Sequence, residues 1–580
     1  MTFGLYALST RSFTDDAALA TFTSIPAYAT DLSRPDLSLV VAMELDAVTA
    51  ADAGNSGTFY YGSEGFTTLP SNTPASQHFE GRIRSCILAR SIERGQDGLL
   101  AGGLIRSFGE IELDNADGGL DDLLTLWYVD GRQCVIKAAG KDSNGNVRSY
   151  GSFGRVFIGT AGQWTFEADG NIVKLRLESV SRRLRRKMGT TAYLGTGGAE
   201  GISDLEGVSK PQTYGICYNV SPQLIDQSIR TYQCHDDFIE DVFAVYDSGV
   251  EIEFDGRYVD YATLSVQELT EGTYAISRTA GHLMLGADPV GQVTMDVEGD
   301  KGANRRPEVE DWSDGTRWSD GTGWSRQAAT LPIQGVAQAI WRILEERAGF
   351  TSEQINESAF GRFDRAQPAQ IGYHVEAGDT ATIAEHIAEL ARSAGAAVGV
   401  DQYNHVTLVR VEAPSDNSPY DLNDTNIVRG GVARVTLPYG SPWYQWRVGY
   451  RVNWTIQNEA QLAATVSLSR KSKLKRPYLV TVASDTDVQT AFPAARVIEH
   501  KTYFNELEDA QAERVRLAAL YSVDRMMLSV EVKTFLFRIE LGETVKVTYD
   551  RFGLDSGRFF TVLEVEENLV EQTTRLLLFG

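Results

Sequence analysis

Cysteine is scarce in this 580-residue chain, and histidine is hardly more common. The four cysteines, Cys86, Cys134, Cys217 and Cys234, are widely separated, and no two of them form a Cys-x-x-Cys pair. The spacing therefore argues against a disulfide framework and favours four small buried side chains. An iron–sulfur or metal centre stays open as an alternative, because separated cysteines can still meet in space.

Long apolar runs are also missing. No stretch of 18 apolar residues occurs, so the sequence predicts no membrane span. The first residues, Met1 to Gly4, contain no basic region ahead of an apolar segment, and a secretory signal is not expected.

Proline is rare beside glycine, at 16 against 54 residues. This balance favours many short strands and turns over long helices. The length is too great for a single core and suggests about three to five domains. We therefore predict a mainly β, multi-domain protein with β-barrel or sandwich-like domains and a small α/β helix–hairpin module.

Basic residues are outnumbered: the sequence has 54 Lys and Arg against 78 Asp and Glu, and its net charge is −24. So acidic a surface repels phosphate backbones, and specific nucleic-acid binding is not expected. An acidic channel would still let DNA pass as a passenger. Solubility alone is the other interpretation, and the sequence does not separate the two.

Signatures of catalysis are missing as well. The chain has no His-Glu-x-x-His, Gly-x-Ser-x-Gly or Cys/His pattern, so we predict no enzyme activity and no cofactor. His235 stands beside Asp236 and Asp237 and could form a catalytic or metal dyad, but no nucleophile or third ligand lies at a recognisable spacing. A structural role for His235 is favoured.

Two further patterns fail as ligand sites. The run Gly195 to Gly201 does not complete a Gly-x-Gly-x-x-Gly phosphate loop, because Glu200 stands where the third glycine belongs. The turn around Asn115 to Gly118 mimics part of a calcium loop, but Leu113 and Leu124 occupy essential ligand positions. A surface loop and a tight Asx/Gly turn are predicted instead.

Helical periodicity appears in two parts of the chain. One helix has the apolar stripe of Val336, Ala337, Ile340, Trp341 and Leu344, and a second is predicted to be capped by Asp379 and ended by Gly395. A hairpin of residues 397–400 and 406–411 follows. Near the C-terminus, Asn505 is predicted to cap a helix over 505–523.

Ordered phrases recur in three regions. The first contains Phe79-Glu80-Gly81-Arg82-Ile83, then Gly109-Glu110-Ile111-Glu112-Leu113 with Asn115-Ala116-Asp117-Gly118 and Asp121, then Gly131-Arg132. The second contains Lys210-Pro211, Asn219-Val220-Ser221-Pro222, Tyr232-Gln233-Cys234-His235 and Val245-Tyr246-Asp247-Ser248-Gly249. The third contains Leu541-Gly542-Glu543, Phe552-Gly553-Leu554, Gly557-Arg558-Phe559 and a terminal Phe579-Gly580.

In this order the phrases resemble those of tailed-bacteriophage baseplate hub and tail-tip proteins of the siphophage type. The resemblance implies a structural virion protein of the phage tail. Such a subunit would form a ring around the tail channel, link the tail tube to the distal tip and host-contacting proteins, and allow DNA ejection. The alternatives are a tail-associated cell-wall hydrolase and a receptor- or carbohydrate-binding tail protein.

The resemblance also implies partners and a location. The partners would be distal tail or tube proteins, the tape measure protein, and central tip or fibre proteins. The chain itself would form a homo-oligomeric ring, with a trimer expected and sixfold symmetry left open. It would be made in the host bacterial cytoplasm and reside in the virion.

Composition shifts divide the chain into five predicted segments. These are an N-terminal β-rich domain (1–190), a second β-rich domain (191–298), a Trp/Asp/Gly connector (299–330), an α/β hub module (331–430) and a C-terminal β-rich domain (431–580) with the helix 505–523.

Two groups of residues are candidates for interfaces. A basic cluster of Arg182, Arg183, Arg185, Arg186 and Lys187 could contact nucleic acid, dock on an acidic neighbouring subunit, or be a solvated face. A six-residue repeat in the connector places Trp312, Trp318 and Trp324 in equivalent positions, which suggests stacked β-turns with exposed rings. A linker or an interface is favoured for the repeat over carbohydrate binding.

Overall fold

The computed structural model describes residues 38–49, 56–95, 98–167, 169–300, 335–401, 403–438, 440, 442–533 and 537–580, and three short strands within 312–326. The chain is mainly β, as the sequence predicts, and its longest helices lie in the two predicted regions.

The N-terminal part is a mainly antiparallel sheet, in which only β2 and β4 of the strands ordered below pair in parallel, with a small helix between β6 and β7. Alternation explains these strands: Val173, Leu175 and Leu177 are buried while their neighbours are more exposed. The hydrogen-bonded order is β4-β2-β1-β8-β9-β10-β6-β5. The elements are β1 Leu39–Thr49, β2 Ser56–Gly62, β3 Phe66–Thr67, β4 His78–Gly81, β5 Ile83–Ile92, β6 Gly103–Asp114, α1 Asp121–Leu126, β7 Trp127–Tyr128, β8 Gln133–Gly140, β9 Gly154–Phe166 and β10 Ile172–Glu178.

The predicted turns of this part are present. Asn115 accepts a hydrogen bond from the Leu120 N–H and donates to Asp121 and to the Gly170 carbonyl, so its side chain ties a tight Asx turn together. Gly118 has a φ of 68°, a left-handed conformation that glycine adopts without strain. The hairpin of β9 and β10 turns at 169–171.

A nine-stranded sheet forms the second part of the chain. Its order is β12-β13-β17-β16-β15-β14-β18-β11-β22, so the last strand comes from a later segment. The elements are β11 Gln212–Val220, β12 Gln223–Asp226, β13 Thr231–Gln233, β14 Asp241–Asp247, β15 Val250–Tyr258, α2 Tyr261–Leu264, β16 Thr273–Ser277, β17 His282–Leu285, β18 Val293–Glu298 and β22 Gly372–Val375.

The Trp repeat forms a three-stranded antiparallel sheet of β19 Trp312–Ser313, β20 Arg317–Ser319 and β21 Trp324–Arg326. The tryptophans therefore lie on strands. The stacked turns predicted for the Asp-Gly pairs at 314–315 and 320–321 lie outside the described residues.

The α/β module contains three helices, where the sequence predicted two. They are α3 Val336–Glu346, α4 Glu357–Ala366 and α5 Ile383–Ser393, and they are followed by the predicted hairpin of β23 Ala396–Val400 and β24 Val406–Arg410. The stripe of α3 is buried as expected. The predicted cap of α5 is wrong, because Thr382 caps it in a reciprocal box with Glu385, while Asp379 accepts from the Ala381 N–H.

The C-terminal part contains a second group of strands and the longest helix. Its elements are β25 Asp421–Leu422, β26 Ile427–Val435, β27 Trp443–Tyr450, α6 Leu468–Leu474, β28 Leu479–Ser484, α7 Thr486–Ala491, β29 Arg496–Lys501, α8 Leu507–Tyr521, β30 Met527–Lys533, β31 Thr544–Val547, β32 Arg558–Asn568 and β33 Thr573–Phe579. β28, β27 and β29 form a separate small sheet on which α8 packs.

The start of α8 corrects a prediction. Its N-cap residue is Glu506, without a side-chain cap, so Asn505 does not cap the helix. Instead, the buried Asn505 side chain donates to the Ile216 carbonyl in β11. A long-range hydrogen bond has replaced the local one that the spacing suggested.

Strand β32 joins the two ends of the chain. Its first half pairs with β31, and its second half pairs with β5, from Glu564 opposite Ser91 to Asn568 opposite Ile87. The core beneath is shared, since Ile92 and Ile105 belong to the same cluster as Val530. The N- and C-terminal strands thus form one continuous sheet. The domain boundaries predicted above stay a prediction.

Candidate interaction surfaces

The basic cluster occupies a 3₁₀ turn, Val180–Arg185, and the two residues that follow it, after the last strand of the N-terminal sheet. Its backbone is fixed by two hydrogen bonds: the Met188 N–H donates to the Ala381 carbonyl, and the Ile383 N–H donates to the Arg186 carbonyl. The turn is therefore a rigid element, and its side chains leave it in defined directions.

The five cations of the cluster are not equivalent. Arg183 donates to the Gly349 carbonyl and to Gln354, and its guanidinium lies 5.3 Å from the centroid of the Phe350 ring. Arg182 lies against Gly131 but is exposed, as are Arg185, Arg186 and Lys187, and Arg185 has a 3.5 Å contact with Glu178. Arg183 thus serves internal packing, and the other four cations face solvent.

The sequence reasoning missed a second basic stretch at 470–476, because Ser472 and Leu474 interrupt it. Two of its cations have contacts within the chain. The Arg470 guanidinium lies 3.8 Å from the centroid of the Tyr246 ring, and Lys475 contacts Glu459 at 2.7 Å. A cation stacked on a ring and a buried Leu474 together explain the interrupted pattern.

Strand pairing aligns two of the three tryptophans. Trp312 is opposite Ser319, and Ser319 is opposite Trp324, so these two rings belong to corresponding positions on either side of β20. Trp318 is opposite Ser313 and Ser325. Their interface role stays a prediction.

His235 lies in a sealed environment. Its ring is fully buried, and Nδ1 accepts a hydrogen bond from the Thr213 N–H at 2.9 Å. Burial lowers the pKa of His235 against the opposing effect of Asp236 and Asp300, whose carboxylates lie 3.9 Å from Nε2. The ring is therefore neutral and inaccessible to a substrate, which agrees with the structural role favoured from the sequence.

The carboxylates beside His235 are held by α3. Arg347 makes a two-pronged contact with Asp236, both distances being 2.7 Å, and Arg342 contacts Asp300 at 2.6 Å. All four side chains are at most 8% exposed. Charge-assisted bonds of this kind fix geometry strongly. These two ion pairs therefore join the nine-stranded sheet to the α/β module.

The cysteines divide between two cores. Cys86 and Cys134 lie in the N-terminal core, and Cys217 and Cys234 lie in the core of the nine-stranded sheet. Burial raises the pKa of the Cys86 thiol to about 12. Within the described residues, no group of three or more His, Cys, Asp or Glu side chains is arranged to hold a metal ion.

None of the described helices combines the length and the apolar character that a membrane span requires.

No family model matches the chain, and no curated protein matches it. Solved structures do. A tail protein from Neisseria meningitidis is 9% identical, covers 94% of this chain and 97% of its own, and has a TM-score of 0.34. The 43 kDa tail protein of prophage MuSo2 from Shewanella oneidensis is 10% identical, with 87% and 96% covered and a TM-score of 0.36.

A chain of a native gene transfer agent virion is 16% identical, with 64% of this chain and 84% of that chain covered and a TM-score of 0.40. The chain is similar along most of its length to solved tail proteins, the class that its sequence motifs resemble.

Proposed function

We propose that the chain is a structural virion protein, a baseplate hub or tail-tip subunit that forms a ring around the tail channel. In this role it links the tail tube to the distal tip and to host-contacting proteins, and DNA passes through the ring during ejection. Its partners are the neighbouring tail proteins, and its role is structural assembly rather than catalysis.

The observation that carries this proposal is the contact between the three motif regions. Arg82 of the first phrase binds Asp117 of the next, with Nη1 and Nη2 at 2.9 and 3.0 Å from the carboxylate oxygens. The carboxylate is exposed and keeps a lowered pKa, because the Arg82 guanidinium and the Gly119 N–H donate to it. The two phrases thus specify one local structure.

The distant motif regions also meet. Strand β32 follows the Gly557-Arg558-Phe559 phrase and pairs with β5 of the first region. Asn505, which precedes the helix α8 that leads to the third region, donates to the Ile216 carbonyl of β11 in the second. Since phrases hundreds of residues apart form one scaffold, their order in the sequence describes a single architecture. This supports the family that the phrases resemble.

The charge distribution supports passage of DNA. A ring multiplies the net charge of −24 by the number of subunits. Duplex DNA carries about one charge per 1.7 Å of its axis, so a basic lumen would bind and stall it. We infer that the channel-facing surface is rich in Asp and Glu, and that the basic cluster faces a neighbouring subunit or solvent.

The experiment is a cryo-EM map of the assembled particle, together with mass photometry of the purified chain. We expect density for a closed ring at the distal end of the tail and a species that is a whole multiple of 63.7 kDa, with a trimer expected. Particles that assemble normally after the chain is deleted would refute the structural role. Arg182 to Lys187 at the narrowest part of the lumen would refute the argument about DNA passage.

A peptidoglycan clearing assay tests the non-catalytic role separately. We expect no clearing by the purified chain. Clearing that one carboxylate substitution abolishes would instead identify a hydrolase.

A further inference from the structure

Strand β15 is poorly covered for a strand inside a sheet. Six of its nine residues are exposed and the other three, Ile252, Gly256 and Tyr258, are half-buried, although it is flanked by β14 and β16. Strands inside a sheet normally bury at least one face. Glu251 and Glu253 alternate along the strand and lie on the same face, and the exposed Asp255 follows them at the β-bulge between Phe254 and Gly256. We call these three acidic residues the acidic strand.

The carboxylates of the acidic strand are not used within the described chain. No described Lys or Arg lies within salt-bridge distance of them, and Arg470, which is nearby, stacks on Tyr246 instead. Strand-borne charges elsewhere are paired, as Lys174 is with Glu112 at 2.9 Å. A row of like charges repels itself, so a complementary partner would stabilise it.

The complementary surface is the exposed C-terminal part of the basic cluster, Arg185, Arg186 and Lys187, which we call the basic turn. The run Arg182 to Lys187 holds five cations in six residues, the densest basic stretch of the chain. The backbone of the basic turn is held against α5, so its charges are presented on a rigid support. An acidic protein that associates with itself needs such local attraction to overcome its overall repulsion.

We propose that the basic turn of one chain docks on the acidic strand of a second copy. The two surfaces are different, so the contact is heterologous, and repetition of such a contact closes a ring when its rotation permits. The inference rests on the proposed ring and identifies the residues that hold its subunits together.

The test is reciprocal charge reversal, followed by mass photometry over a range of concentrations. Glu253→Arg with Asp255→Arg, or Arg185→Glu with Arg186→Glu, should each raise the dissociation constant of the oligomer more than about a hundredfold, because like charges then face each other. The variant with all four changes should restore association. Arg429→Glu with Arg434→Glu alters charge equally at exposed positions of β26 and should leave association unchanged.

A cross-linking experiment identifies the contact directly. Asp255→Cys and Lys187→Cys are prepared as separate variants and treated with a bismaleimide, to which the four buried native cysteines are inaccessible. Only a mixture of the two variants should give cross-linked dimers. Circular dichroism verifies that every variant is folded.

The outcomes separate this inference from the proposed function. A ring that forms in the wild type and resists both reversals overturns the docking contact and leaves the ring role intact. A wild-type chain that stays monomeric at every concentration overturns both. Cross-linked dimers within either single-cysteine variant alone would show that the contact is not between the two different surfaces.

Discussion

Removal of the carboxylate of Glu513 should destabilise the region around α8 more than any other single truncation on that helix. Glu513 is 0% exposed, and its carboxylate accepts from Arg516 Nε at 2.9 Å and from Arg410 Nη2 at 3.0 Å. The two arginine side chains are themselves only 8% and 11% exposed. Glu513→Ala would leave the Arg516 guanidinium buried without its counter-charge, and would leave Arg410 with only its 3.1 Å salt bridge to Glu412 among the described residues.

The expected cost follows from that geometry. Breaking a buried ion pair by removing one partner costs about 3–5 kcal/mol, because the remaining charge stays desolvated. Glu513→Gln keeps the volume and one acceptor and should cost less. Glu508→Ala, an exposed glutamate in the first turn of the same helix, should cost about 0.3–1 kcal/mol through the helix dipole.

Hydrogen exchange across α8 is the appropriate assay, since a chain of this length does not unfold in one step. The effect should also depend on pH. Burial alone would raise the pKa of Glu513, but Arg516, His500 and Arg410 lower it below its ordinary value. A lowered pKa stabilises the fold above the ordinary glutamate pKa, and this contribution is lost as the pH falls through the lowered value. A cost below about 1 kcal/mol, or one equal to that of Glu508→Ala, would refute the reasoning.

Three further predictions concern other parts of the chain. Gly395→Ala should lower the free energy of unfolding by more than about 1 kcal/mol, since φ is 69° and the added Cβ would meet the Arg516 guanidinium at 2.0 Å; a melting curve at or above the wild-type midpoint would contradict this. Burial lowers the pKa of His282 to about 4 in the folded chain, whereas in the unfolded chain the same ring binds its proton near pH 6.5. The free energy of unfolding should therefore fall as the pH is lowered from about 6.5 to about 4. His282→Phe should flatten this slope in denaturant titrations at several pH values. Arg183→Ala should cost about 1 kcal/mol through its lost carbonyl and ring contacts, and Arg186→Ala less than about 0.5 kcal/mol; equal costs in thermal melts would show that the cluster is not divided as described.

Local patterns predicted the elements well. The stripe of α3, the hairpin of β23 and β24, and the turn at Asn115 follow from spacing and turn chemistry, which act within a few residues. The third helix, α4, was not predicted, although its N-cap Asn356 accepts from the Ala359 N–H. That signal is short and weakly apolar.

The sequence did not predict the charged residues inside the core. The helix α8 was predicted, but nothing in its sequence indicated that Glu513 and Arg516 are buried. They are tolerated there because Arg410, about 100 positions away, completes the network. Asn505 was assigned to a cap for the same reason: its partner, the Ile216 carbonyl, is distant in the sequence.

The sequence identified the interface candidates as charged and aromatic residues, but it did not show which of them pack inside the chain and which are exposed. Sequence treats Arg183 and Arg186 alike, although one packs on Phe350 and the other is exposed. The exposure of β15 was not foreseen, since its alternating pattern is typical of a half-buried strand. Burial of a strand depends on what covers it, and no local pattern encodes that.

The division of β32 between two sets of strands has a mechanical consequence for the proposed ring subunit. Its second half is bonded to β5 through five residue pairs, and the same half pairs with β33. Moving the N-terminal strands relative to the C-terminal ones would break this ladder and open the shared core around Ile92 and Val530. Each lost hydrogen bond would leave a buried backbone group unpaired, at about 1–3 kcal/mol apiece. The two ends must therefore move together, so a load applied at one end of the subunit is carried to the other through the sheet and not through a flexible linker.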